Sequence, residues 1–224
     1  MICSYPGATI PNTSMKINKT DIINAVSSLS NFYSLPNEMF NQFCFNWINA
    51  IISTYTSIEN KTITYIGEYL GEDINFAGQN IRLHFYVPRA IKIAKSLNIY
   101  PELLSLLDFK TTSYGLSKYI KYTPIYNNVS NFNYADCDVP IVTVPFYIQN
   151  SQMLVIDGNH RVTAKIAANS KSILSLNLPF DKVRNLLLLT NFEKSIYSFL
   201  YEINNIYQYI NNSYALEILS LYNQ

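Results

Sequence analysis

Charge is scarce in this chain. Asp, Glu, Lys and Arg make up 14% of its 224 residues, and sixteen cations face fifteen carboxylates for a formal net charge of +1. Duplex-DNA binders draw most of their affinity from neutralising phosphates and carry a basic surplus. Without one, only a local basic patch is left to serve nucleic acid. Cysteine is rarer still. Cys3, Cys44 and Cys137 are odd in number, far apart and without C-x-x-C spacing. That pattern speaks against a zinc site or a disulfide framework and for a reducing compartment. No run of ~18 uninterrupted apolar residues occurs, so no membrane span is expected. The opening MICSYPGATIPNTSMKINK lacks a basic stretch followed by an apolar one, so no secretory signal is expected either. These absences predict a soluble, cytoplasmic protein, with delivery as an effector by a signal-less route left open.

What is abundant is apolar. Hydrophobic residues reach 49%, with 19 Tyr and 12 Phe, enough to bury a sizeable core and to exclude global disorder. Residues 1–18, with Pro6, Gly7 and Pro11, read as irregular. Thr20 can cap a helix from Asp21 to about Tyr33. Pro36 and Asn37 open a second, in which Phe40, Cys44, Trp47, Ile48, Ile51 and Tyr55 recur at helical steps. KTITYIGEYLG (61–71) fits a strand or a short helix, and IRLHFYV (81–87) a strand. Pro88 suits the first turn of PRAIKIAKSL, and Pro101 is expected to open another helix, PELLSLLDF.

The texture changes near residue 112. YIKYTPIY (119–126) reads as a strand and NNVSNFNYADCD (127–138) as a polar loop. PIVTVPFYI (140–148) is a β-branched run in which Pro145 suggests an edge or a bulge. QNSQ (149–152) is a turn, MLVI (153–156) a short buried strand, GNHRVTAKIAAN (158–169) a helix and SILSLNL (172–178) another strand. From Asp181 the chain is helical, with Phe192, Ile196, Phe199, Leu200, Ile203, Ile206 and Tyr207 on one face, and LEILSLY ends it. The fold expected is α+β: a small mixed sheet flanked by N- and C-terminal helices. Residues 1–110 form a mainly helical region, 111–180 the core and 181–224 the C-terminal helices, which together can make one folded unit.

One turn carries the chemistry. A buried strand ends at Ile156, and Asp157-Gly158-Asn159-His160-Arg161 leads into a helix. Asp157 is a good N-cap. Gly158 permits a sharp turn or a close approach to a ligand. Free first-turn amides and the helix dipole favour an anion. Arg161 can grip phosphate bidentately, and Lys165 lies one turn on, so both cations can share a side. Asp157 is also a candidate ligand for a divalent metal, or a group that orients His160, which then serves as general acid or base. The alternative is ordinary helix-start grammar with surface His and Arg. The chain has only two histidines, His84 and His160, which gives the one in the turn more weight.

The stretch 140–178 resembles the ParB/sulfiredoxin superfamily. Pro140-Ile141-Val142, the turn Asp157-Gly158-Asn159-His160-Arg161, Ala164 and the strand Ile173–Leu178 carry the resemblance, and the turn is similar to the D-G-Q-H-R signature of DndB-like proteins. The resemblance implies a site for nucleotide phosphate, of ATP or CTP type with Mg²⁺. Carried over by position, Gly158, Asn159, His160 and Arg161 would contact phosphate; from the residues themselves Lys165 is expected to join them, with His160, Arg161 and Asp157 catalytic. Asn159 stands where sulfiredoxin has its reactive Cys, so sulfinic-acid reduction is not expected. The tail has few cations, which speaks against chromosome partitioning. The leading expectation is a nucleotide-binding protein that hydrolyses or transfers a phosphoryl group. The alternatives are a non-catalytic nucleic-acid-associated or regulatory module and a mobile-element toxin.

Other groups stay open between surface and site. Glu68, Glu72 and Asp73 are either solvated or a source of a catalytic carboxylate. Arg82 and His84 alternate on one strand face and could form a second phosphate contact. Arg89, Lys92 and Lys95 form either a solvated basic face or a nucleic-acid contact. Asp136, Cys137 and Asp138 are a polar loop or a source of a further metal ligand, and Lys171 could reach the turn from the next loop.

Overall fold

The computed structural model describes residues 2–4, 9–10, 20, 24, 37–56, 63–64, 67–76, 79–111, 119–125, 134–146 and 151–212. The helices are α1 (Asn37–Thr56), α2 (Val87–Ser96), α3 (Asn159–Ala167), α4 (Phe180–Leu186) and α5 (Asn191–Asn212). The strands are β1 (Ile2–Ser4), β2 (Thr9–Ile10), β3 (Ile63–Thr64), β4 (Glu68–Phe76), β5 (Gln79–Tyr86), β6 (Glu102–Ser105), β7 (Phe109–Lys110), β8 (Tyr119–Lys121), β9 (Ile141–Pro145), β10 (Ser151–Asp157) and β11 (Ser172–Asn177). Six strands form a mixed sheet in the order β6-β11-β9-β10-β8-β7. β1-β4-β5 and β2-β3 are separate antiparallel sheets. The class is α+β, as expected.

The six-stranded sheet is curled. β6 and β7 stand at opposite ends of the strand order, yet only the 3-10 turn Leu106–Asp108 separates them. The outer strands of a flat six-stranded sheet would lie ~24 Å apart, at about 4.8 Å per neighbour. Four residue steps from Ser105 to Phe109 span at most ~14 Å. The two ends must therefore meet, with β6 and β7 acting as one bent strand, antiparallel to β11 on one side and parallel to β8 on the other. Leu106, Phe109, Ile120, Ile141, Val155 and Ile173 line the inside, and Val162 of α3 plugs it.

The alternate side chains face outward. Val142, Val144, Leu154 and Ile156 belong to the larger core, built with the β4–β5 hairpin, α1, α2, α4 and α5. Trp47 of α1 meets Phe199 of α5 edge-on at 5.5 Å between centroids, and Tyr55 meets Phe192 at 5.4 Å. Lys121 of β8 forms an ion pair with buried Glu72 of the hairpin and lies over the Phe146 ring.

The amphipathic reading of α1 holds: Cys44, Trp47, Ile51 and Tyr55 are buried. Pro88 lies in the first turn of α2. KTITYIGEYLG resolves toward strand, in β3 and β4. Four expectations are corrected. Pro101 does not open a helix, because Glu102–Ser105 pair with Ser175–Ser172 and this tertiary pairing outweighs local propensity. β9 is a central strand. Phe146 N–H donates to Gln152 O at 2.9 Å, so the nitrogen of the preceding Pro145 faces β11 beyond its last paired residue, Asn177, and no ladder bond is lost. Residues 2–4 and 9–10 are strands rather than irregular chain. Residues 102–110, before the boundary expected at 111, are part of the curled sheet. Thr20 and Asn24 are helical, but the rest of the helix expected at 21–33 lies outside the described residues, as do the LEILSLY tail and residues 149–150 of the expected turn, while residues 151–152 belong to β10 rather than to a turn.

Candidate phosphate site

β10 delivers the turn to the rim of the curled sheet. Gly158 adopts φ 93°, ψ 17°, a left-handed conformation that L side chains rarely take. A Cβ there would stand 2.5 Å from Ile141 Cγ2 and 2.7 Å from an Arg161 guanidinium nitrogen. Glycine is needed for both the turn and the close approach.

Gly158, not Asp157, is the N-cap of α3, and no side chain caps the helix. The first helical hydrogen bond runs from Val162 N to Gly158 O at 3.0 Å, so the amides of residues 159–161 precede the helical ladder. Asp157 Oδ2 instead accepts from Arg161 at 3.1 Å. A cation already beside it, four residues on, outcompetes the cap. The expectation that Asp157 caps the helix is therefore corrected, and no contact places it on His160.

Asn159 is built in. It is 1% exposed, its Oδ1 accepts from Thr123 N at 2.9 Å and its Nδ2 donates to Val155 O at 3.2 Å. Its side chain pins α3 to β10 and to the residues after β8, which leaves only its backbone amide for a ligand. Thr163 repeats the tie: its hydroxyl donates to Asn159 O at 2.8 Å and accepts from Ile125 N at 3.1 Å.

Arg161 and Lys165 do share a side, and residues 134–140 cover it. An Arg161 guanidinium nitrogen donates to Pro140 O at 3.3 Å, and Lys165 Nζ donates to Ala135 O at 2.9 Å. Lys165 is also 4.0 Å from exposed Asp138. His160 stacks on Tyr134, with centroids 5.3 Å apart and planes 17° from parallel. Arg161 Nε is buried and has no hydrogen-bond partner among the described residues. Sequence reasoning missed Tyr134, Ala135 and Pro140. Two of them act through backbone carbonyls, which leave no mark on residue type.

The acidic cluster divides. Glu72 is spent on Lys121. Asp73 accepts from Arg82 at 2.7 Å, a bond that lowers its carboxyl pKa. Burial first, and the charge of Asp157 second, raise the Glu68 carboxyl above the usual range. Arg82 and His84 do not form a phosphate pair. His84 is buried, with Nδ1 3.0 Å from Glu193 Oε1, and that same carboxylate accepts from His84 N at 3.1 Å. Arg89 donates to Leu186 O at 2.9 Å, while Lys92 and Lys95 are exposed. Asp136 and Lys171 are exposed, and Cys137 is half-buried as a free thiol.

Among the described residues no three His, Cys, Asp or Glu side chains stand together as a metal set. Among them, too, no helix is long and apolar enough to cross a membrane. Comparison of the chain with protein families, with characterised proteins and with solved structures finds no match.

Proposed function

We propose that the protein binds the phosphates of a nucleotide at the 157–161 turn. The observation that carries this reading is the uncapped start of α3. Three first-turn amides, a left-handed glycine and a folded-back guanidinium with a buried, unpartnered Nε converge there. Donors at a helix start and a planar cation are the groups an anion requires. Gly158 lets the anion approach the backbone, Arg161 neutralises it, and Lys165 adds a second charge at i+4. Asn159 holds the frame, and only its amide takes part.

Mg²⁺ fits this site as a companion of the phosphate rather than as a resident ion. Asp157 is held by Arg161, and Glu68 is the carboxylate that feels its charge. Magnesium bound by one or two carboxylates takes its remaining ligands from water and phosphate oxygens. It would neutralise phosphate charge there. His160 is the residue positioned to move a proton if phosphoryl transfer follows binding. A second, non-catalytic reading is favoured by one observation: Asp157 is engaged by Arg161, so His160 lacks the carboxylate that commonly orients a catalytic imidazole.

Thermal-shift measurements with ATP and CTP, with and without Mg²⁺, test the proposal. At a ligand concentration 100 times the dissociation constant the gain is about 2.7 kcal/mol. For a chain of this size that gain is a rise of roughly 5–10 °C. Arg161→Ala should abolish it while remaining folded. No shift with either nucleotide, or an equal shift in the variant, overturns the assignment. Release of inorganic phosphate separates the two readings. A steep salt dependence of binding to single- or double-stranded nucleic acid would point instead to a backbone-phosphate ligand.

A further inference from the structure

The groups that make the turn a phosphate site are occupied by the chain itself. Residues 134–140 lie along α3 and meet its side chains His160, Lys165 and Arg161. The Tyr134 ring covers His160. Ala135 O accepts a hydrogen bond from Lys165 Nζ at 2.9 Å, with Asp138 4.0 Å from the same nitrogen. Pro140 O accepts one from Arg161 at 3.3 Å. Two carbonyl oxygens and a carboxylate thus stand where an anion's oxygens would stand, and the segment brings Asp138 to the cationic side of the helix. The substitution is incomplete, because Arg161 Nε stays buried without an acceptor among the described residues.

We propose that residues 134–140 are a self-inhibitory strap, which occupies the cation face of α3 and is displaced when a phosphate-bearing ligand binds. The inference rests on the phosphate-site reading. Its contacts with the cation face are of a releasable kind: one ring stack, two hydrogen bonds to backbone carbonyls and a long ion pair to a carboxylate that is 92% exposed. A ligand oxygen carrying formal charge makes shorter, stronger bonds to the same donors than a neutral carbonyl does. Competition therefore favours a charged ligand over the strap, with the apparent affinity reduced in proportion to the fraction of molecules that are open.

Calorimetric titration of the full chain with inorganic pyrophosphate tests this. The wild type, the strap variant Tyr134→Ala/Asp138→Asn and Arg161→Ala are compared. The strap variant is expected to bind about tenfold tighter than wild type, corresponding to an open fraction near 10% in the wild type, and Arg161→Ala is expected not to bind. Equal affinity of wild type and strap variant overturns the strap and leaves the site standing. Absence of binding in both overturns the site reading, and the strap falls with it. If the strap variant does not fold, hydrogen exchange of wild type decides. Faster exchange of amides 135–139 on adding pyrophosphate supports displacement, and unchanged or slower exchange under binding conditions overturns it.

Discussion

Two helices in this molecule begin in opposite ways. α5 is finished by its own side chains. Thr190 Oγ1 accepts from Glu193 N at 3.1 Å, and Glu193 Oε2 accepts from Leu189 N at 3.2 Å and from His84 N at 3.1 Å. The second carboxylate oxygen faces His84 Nδ1 at 3.0 Å. This is capping-box chemistry extended to a neighbouring strand, and it locks the β4–β5 hairpin to α5. α3 begins on a glycine with no cap, and its arginine keeps one nitrogen unsatisfied. Buried polar groups in folded proteins are almost always paired. The α5 start is closed by side chains; the α3 start has no side-chain cap and lies beside half-buried Arg161, and on that difference the phosphate-site proposal rests.

Breaking the closed start should have the largest effect. Glu193→Ala removes an acceptor that serves His84 Nδ1 and two backbone amides, and leaves them buried. Loss of a buried charged partner of this kind costs about 3–5 kcal/mol. Urea denaturation should show this as a lower midpoint, and weaker hydrogen-exchange protection of β5 should accompany it. Destabilisation below about 1 kcal/mol would mean that the joint is solvated and that the contrast with α3 is overstated.

The open start is expected to be less costly to alter and more costly to function. Gly158→Ala places a methyl group 2.5 Å from Ile141 Cγ2 at φ 93°. A strained left-handed residue together with overpacking costs about 2–4 kcal/mol. The same methyl displaces the Arg161 guanidinium, so stabilisation by ATP or CTP should vanish even at temperatures where the variant is folded. If ligand stabilisation survives, the anion does not sit against Gly158.

The contrast also shows what residue order can convey. The turn was legible as a strand-to-helix turn, because a glycine after a buried aliphatic strand and before a helical pattern permits a sharp change of direction. α1, α2, β9, β10, α3 and β11 followed from periodicity and from Pro88. The closure of the sheet was not legible. It depends on β6 and β7 pairing with strands far along the chain, and PELLSLLDF on its own favours a helix. Nor was the partner of His84, since Glu193 is 109 residues away and reaches it only through tertiary packing. Asp157 failed as a cap for a local reason that was visible in principle: Arg161 sits at i+4, the spacing of a helical ion pair.

The smallest expected effect lies in the pH dependence beside the open start. Burial first, and Asp157 second, raise the Glu68 carboxyl above its ordinary value. The folded state then holds this proton after the unfolded chain has released it. From the ordinary carboxylate range up through the raised value, the folded state binds more protons than the unfolded state, and stability must fall as pH rises. Glu68→Gln keeps the shape and removes the proton, so its stability curve should be flatter than wild type across that window and should meet wild type below it. Glu193, held by donors on both oxygens, marks the closed end of the comparison. Glu68, whose carboxyl is raised by burial first and by the charge of Asp157 second, marks the open one. A wild-type slope unchanged by Glu68→Gln would mean that the Glu68 carboxyl is not raised in the folded state.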